Sequence, residues 1–328
     1  MIHCCSRIFI WFFCELFVVF GCVSLPIQRP VVRLEEAHFL GSTQVAFSPN
    51  SKLLASGGFK GDIKIWSVPS GKMVTVIKAH AAAIRGMVWV DNGFLLSGAD
   101  DGRVMLWDLT NEKPTQVKAN LFSSAVKGLA FFSKNREIVS GHKDGMIRVL
   151  GYPSLQAVRE RNLKRRVLAI RSSHDASMLA VSVKGEKVFL MDRYLQTLQA
   201  LQLPSRNIFS LAFAPDGSQL AGAGWYEIFL WDLADGHMKK RDTHHFGKII
   251  AIDYSPNGKY IASIGRITDS KIFITHAKSG ILYRNLLGHS LCGTALRFSP
   301  NGQYIASTSD DRSVRIYDLI ERYPYIKK

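Results

Sequence analysis

An all-β fold built from seven similar units is predicted by three observations: a long sequence period, an alternation within each period, and recurring turn residues. The period is clearest at the third β-rich run of each copy. There Trp66, Trp107, Leu150, Met191, Trp231, Thr275 and Tyr317 follow one another at intervals of 40 to 44 residues. Within a copy, runs such as Ile63-Lys64-Ile65-Trp66 and Val314-Arg315-Ile316-Tyr317 alternate with period two, as strands half buried between neighbouring sheets do. Ser48-Pro49-Asn50, Asp100-Asp101-Gly102 and Pro215-Asp216-Gly217 supply tight turns between the runs. Outside the N-terminus no segment longer than a few residues has a helical period.

Taken in order, the first copy reads Ala46-Phe47-Ser48-Pro49-Asn50, Leu54-Ala55-Ser56-Gly57 and Ile63 to Trp66. The second ends in Trp107-Asp108 and the fifth in Trp231-Asp232. In the third and fourth, Leu150 and Met191 replace the aromatic residue, and Gly224 to Glu227 of the fifth offers no turn aspartate. Copies three to six are therefore assigned by period and strand pattern. The last copy, Leu296 to Gly302, Ile305-Ala306-Ser307 and Val314 to Asp318, restores the full phrase.

These residues resemble the WD-repeat family over roughly residues 30 to 328. The resemblance implies a seven-bladed β-propeller. It also implies a buried hydrogen-bonded set in a blade: a His before the first strand, a Ser on the second, an Asp in the following turn and a Trp on the third. His80, Ser97, Asp101 and Trp107 fit that set, and His289, Ser307, Asp311 and Tyr317 fit it with Tyr in place of Trp. Val31 to His38 mimics Val74 to His80, so an N-terminal strand is expected to supply the outer strand of the last blade and close the ring. A C-terminal closing strand from Glu321 to Lys328 is disfavoured by Pro324, which has no amide hydrogen.

Residues 1–21 read as a signal peptide, 22–30 as an anchor site with a short tether, and 31–328 as the propeller. Behind Arg7, an apolar run from Ile8 to Phe20 is broken by Glu15 alone, which is signal-core length and short of a spanning helix. Val19-Phe20-Gly21-Cys22 resembles the bacterial lipoprotein box, which makes Cys22 the expected lipidation site and the cell envelope the expected location. Ordinary cleavage before Leu25, a retained anchor, or a start placed too far upstream of a cytosolic ring remain alternatives. Four of the five cysteines lie in the leader, leaving Cys292, expected as a small core residue.

The formal net charge of +16 belongs almost wholly to the ring, because Arg7 and Glu15 cancel in the leader. Its dense runs are Arg159, Arg161, Lys164, Arg165 and Arg166, and then Lys239, Lys240 and Arg241. They are candidates for contact with anionic lipid or an envelope polymer, or else solvated charge that keeps outer strands from pairing. Nucleic acid is disfavoured, since no module that binds it is recognisable. No nucleotide cradle, metal-ligand spacing or cofactor motif occurs, so no cofactor, metal or catalytic residue is expected. The recurrence of Ser, His and Asp in several copies indicates structural networks, because a hydrolase needs one site with an oxyanion partner. The expected function is a non-catalytic protein-binding platform. An enzyme or small-ligand binder using the central channel is the rival from another class.

Overall fold

A computed structural model describes residues 27–203, 207–266 and 270–320 of the chain. These residues form seven sheets, antiparallel but for one strand pair, arranged as a β-propeller, and the described residues contain no helix. Blade one holds the strands Ser42–Phe47, Leu53–Gly58, Asp62–Ser67 and Met73–Lys78, from the axis outward. Blades two to six repeat this order, ending with the outer strand Leu282–Leu286 of blade six. Blade seven supplies Gly293–Phe298, Tyr304–Ser309 and Val314–Asp318.

The period-two runs explain the layering. Each blade has two apolar faces, and clusters of buried side chains fill the gaps between consecutive blades rather than the blades themselves. Ile63, Ile65, Ile84, Leu95 and Trp107 fill the gap between blades one and two. Val149, Val167, Ile170, Val181 and Met191 fill the gap between blades three and four. Leu150 and Met191, which stand in place of the aromatic residue, are fully buried. Middle strands are apolar and enclosed, whereas the outer strand Thr115–Leu121 of blade two is almost wholly exposed. The Ser-Pro-Asn turns owe their shape to one bond: Ser48, Ser255 and Ser299 donate to Asn50, Asn257 and Asn301 at 2.8, 2.7 and 2.6 Å.

The ring closes as the N-terminal run predicts. Val32–Leu34 pairs antiparallel with Val314–Asp318, setting Val32 opposite Ile316 and Leu34 opposite Val314. Inner strands of blades seven and one pack together, and Thr294 Oγ1 donates to the Ser42 carbonyl at 2.6 Å across that seam. One strand was not anticipated. Ile27–Gln28, inside the segment expected as a tether, pairs parallel with Leu282–Leu286 and gives blade six a fifth strand. Cys292 also differs from expectation: it lies only half buried at the entry to the inner strand of blade seven. Its place at the strand's start, beside the exposed Leu291, keeps it out of the gaps between blades.

Candidate interaction surfaces

The two predicted hydrogen-bonded sets are assembled in space. In blade two, Trp107 Nε1 donates to Ser97 Oγ at 2.9 Å. Ser97 Oγ lies 2.7 Å from His80 Nε2, and His80 Nδ1 lies 3.1 Å from both carboxylate oxygens of Asp101. In blade seven, His289 Nε2 lies 2.8 Å from Ser307 Oγ, and Nδ1 lies 3.1 Å from Asp311 Oδ2. The Tyr317 hydroxyl donates to the Leu287 carbonyl at 2.5 Å. A neutral imidazole satisfies every group in such a chain: Trp donates to Ser, Ser to Nε2, and Nδ1–H to Asp. Burial favours that neutral form, pulling the His80 and His289 imidazoles below their ordinary pKa against the pull of Asp101 and Asp311. Burial opposes ionisation of Asp311 too, but the hydrogen bonds it accepts from His289 and Ser313 hold its carboxyl far below the usual range.

Blade one holds a third set that the sequence pattern hid. His38 Nε2 lies 2.8 Å from Ser56 Oγ, Trp66 Nε1 donates to the same oxygen at 2.8 Å, and His38 Nδ1 lies 2.6 Å from Asp62. The aspartate sits just after Gly61, whereas Asp101 sits just before Gly102, so a search at the usual turn position meets Lys60. His38, Ser56 and Trp66, at the spacing of His289, Ser307 and Tyr317 in the last copy, were the available signal. Blade six has the same His-Ser contact, with His245 Nε2 2.9 Å from Ser263 Oγ.

The middle blades solve the same problem differently. In blade three, His142 reaches Ser140 at 2.9 Å from within the second strand and stacks edge-on to Phe122, which occupies the place of the missing loop histidine. In blade five, Gly222 replaces the serine. A Cβ there would lie 2.7 Å from the Trp231 ring, so the indole sinks into the space and donates to the Gln202 carbonyl at 3.3 Å. These geometries resemble a Ser-His-Asp triad, yet Ser97 and Ser307 are fully buried. A hydroxyl with no access to substrate is structural.

The sets pin loops at one end of the ring, and those of His38, His245 and His289 display a large apolar residue near the buried anchor. His38 is 1% exposed and Phe39 71%; His245 is 4% exposed and Phe246 74%; Leu291, two residues after buried His289, is 55% exposed. On the same face, Lys248 Nζ sits 3.6 Å from the centroid of Phe209, whose ring packs edge-on to Trp225. Asp100 pairs there with Arg85 at 2.7 Å and with Lys127, and Arg266 pairs with Asp310 at 3.2 Å.

The basic runs do not form one patch. Arg159 bonds Glu137 at 2.5 Å, Arg161 donates to the Leu195 carbonyl, and Arg165 pairs with Glu186 at 3.1 Å. Lys240 pairs with Glu227 at 2.5 Å, and Arg241 reaches the Ala277 and Lys278 carbonyls at 2.8 and 3.0 Å. Lys164, Arg166 and Lys239 are exposed, on separate blades in the case of Lys164 and Lys239. Cys22 lies outside the described residues. Among the described residues, no three His, Cys, Asp or Glu side chains converge as metal ligands, and no helix is long and apolar enough to cross a membrane.

The model of the family "WD domain, G-beta repeat" matches residues 30–67, 71–108 and 280–318. The fold is thus a seven-bladed β-propeller carrying WD40 repeats, and the match supports the WD-repeat family. The three matched stretches contain the sets of His38, His80 and His289, each of which includes an aspartate among the described residues. Similar proteins include the serine-threonine kinase receptor-associated protein of Rattus norvegicus, 22% identical over 61% of this chain and 57% of its own length. Periodic tryptophan protein 2 of Arabidopsis thaliana is 26% identical over 62% of this chain and 23% of itself. The guanine nucleotide-binding protein subunit beta-like protein 1 of Mus musculus is 28% identical over 62% and 66%. In each case the match spans less than two thirds of the relative.

Proposed function

We propose that this protein is a non-catalytic protein-interaction platform that works by rigid display. The observation that carries the reading is the pairing of buried anchor with exposed neighbour at His38-Phe39, His245-Phe246 and His289 to Leu291. An apolar side chain held in water by a fixed loop loses little conformational freedom on binding, which favours association. The names of the relatives, a receptor-associated protein and a protein resembling a G-protein subunit, support the same use. Cross-linking of the purified chain to captured partners tests it. Cross-links concentrated on loops 38–41, 244–247 and 289–292 support the reading, and an even spread over all faces contradicts it.

We also propose that the ring is exported and held at a membrane through Cys22, on the strength of the apolar leader and the Gly21-Cys22 junction. Ile27–Gln28 and Val32–Leu34 then set blades six and seven nearest the bilayer. The animal and plant sources of the relatives favour a second reading, a cytosolic ring made without export. Intact mass and detergent partition beside Cys22→Ala separate the two. A lipid-modified chain that leaves the membrane phase in the variant supports the anchor, and an unmodified chain indifferent to the change removes it.

A further inference from the structure

At the axis the inner strands enclose a cavity of about 70 Å³. Its charged lining is Arg85 and Lys127, near the start of their strands, and Arg171 and Arg297, near the end of theirs. Asp100 bridges the first pair and cancels one of its two charges. The second pair has no such partner. Arg171 Nη1 donates to the neighbouring Ile170 carbonyl at 3.0 Å, and Arg297 Nη1 to the Leu296 carbonyl at 2.7 Å. Among the described residues, neither guanidinium has a carboxylate within ion-pair distance, although each carries five N–H donors.

Asp253, half buried near Arg171, is a candidate for a counter-charge. Its Oδ2 accepts the Phe298 amide at 2.9 Å. Burial pushes its carboxyl up to about 7, and the Arg171 charge draws it down only in part. Two half-buried guanidiniums against at most one carboxylate leave the cavity with net positive charge, which its partly dry surroundings penalise.

We propose that a single inorganic oxyanion of the sulfate or phosphate class occupies the axial cavity, held by Arg171 and Arg297. Tetrahedral oxyanions suit this place because guanidinium forks offer parallel N–H donors to two oxygens at once. The site is independent of the protein-binding reading, since it uses the cavity and not the display loops.

Equilibrium dialysis of the full chain with radiolabelled sulfate, and separately phosphate, at constant chloride ionic strength tests this. The expected result is saturable binding near one anion per chain, roughly tenfold or more weaker in Arg171→Gln and in Arg297→Gln, and unchanged in the exposed control Lys239→Gln. Asp253→Asn removes the competing carboxyl, so it is expected to bind more tightly, which keeps the proposal testable if an arginine variant fails to fold. Absence of saturable binding in the native chain, or binding no tighter in Asp253→Asn, overturns it. Equal binding by both folded arginine variants does so as well.

Discussion

Arg241, on the outer strand of blade five, donates through Nη2 to the carbonyl of Ala277 at 2.8 Å, in the turn before the outer strand of blade six. The same reach occurs elsewhere in the ring. Asn120 of blade two donates to the Leu155 carbonyl of blade three at 2.9 Å, and Arg161 of blade three donates to Leu195 of blade four. An outer-strand side chain thus caps the next blade's last turn, tying blades together at the rim where apolar contact is scarce. Charges that read in sequence as a basic patch serve partly as fasteners.

Replacing Arg241 by Met keeps the apolar stem and strands the carbonyls of His276, Ala277 and Lys278. The expected loss is roughly 1.5–3 kcal/mol of unfolding free energy, the range for hydrogen bonds to charged groups. Lys239→Met, on the same strand but exposed, should stay within about 0.5 kcal/mol. Urea denaturation of the two variants makes the comparison. Equal midpoints would show that the rim contact carries no stability.

Ser97 is the hub of its set, accepting from Trp107 and facing His80. Ser97→Ala orphans both, at roughly 1–3 kcal/mol for each buried group left unpaired. Ser140→Ala in blade three loses only the His142 contact, since Leu150 has no polar group to strand. Thermal unfolding should therefore place Ser97→Ala below Ser140→Ala.

Acid should act in two opposing ways. The folded pKa of His80 and His289 lies below the ordinary 6.5, so the unfolded chain binds protons first. Their contribution is full above 6.5 and falls as pH drops beneath it. Asp253 is shifted the other way, from 3.8 to about 7, so its contribution is full below 3.8 and is lost as pH rises toward 7. Relative to the native chain, Asp253→Asn should become progressively less stable as pH falls from 7 to 4. A stability difference independent of pH would show that Asp253 is not shifted.

Much of the ring was legible because buried strands must alternate and turns must carry particular residues. Trp66, Trp107 and Tyr317 mark the third strands, and Val31 to His38 foretold the closing strand. Outer strands were harder to read: Thr115–Leu121 lies almost entirely in water, so no apolar alternation is imposed on it. Ile27–Gln28 is two residues long and pairs parallel, leaving no pattern to detect. Asp62 was hidden by a shift past Gly61, and Arg159, Arg161 and Arg241 by the fact that charge in a sequence does not reveal its partner.

The closing strand can be removed cleanly. A chain beginning at Glu35 lacks the half-buried Val32 and Leu34 and exposes the edge of blade seven. Compared with a chain beginning at Arg29, which keeps Val32–Leu34 but also lacks Ile27–Gln28, it should lose roughly 2–4 kcal/mol and aggregate sooner, as unpaired edges do. Light scattering during urea titration would show both effects, and identical behaviour would contradict closure through this strand.

Display from the pinned loops is tested most directly by quantitative affinity capture from the protein's own cells. The native chain would be run beside a triple variant, Phe39→Ser, Phe246→Ser and Leu291→Ser, and an edge control, Val117→Ser with Leu198→Ser. All five positions are exposed, so folding should be preserved in each. The prediction is that partners retained by the native chain and the edge control are lost from the triple variant. An undiminished partner set on the triple variant, or the same loss from the edge control, would contradict binding through this face.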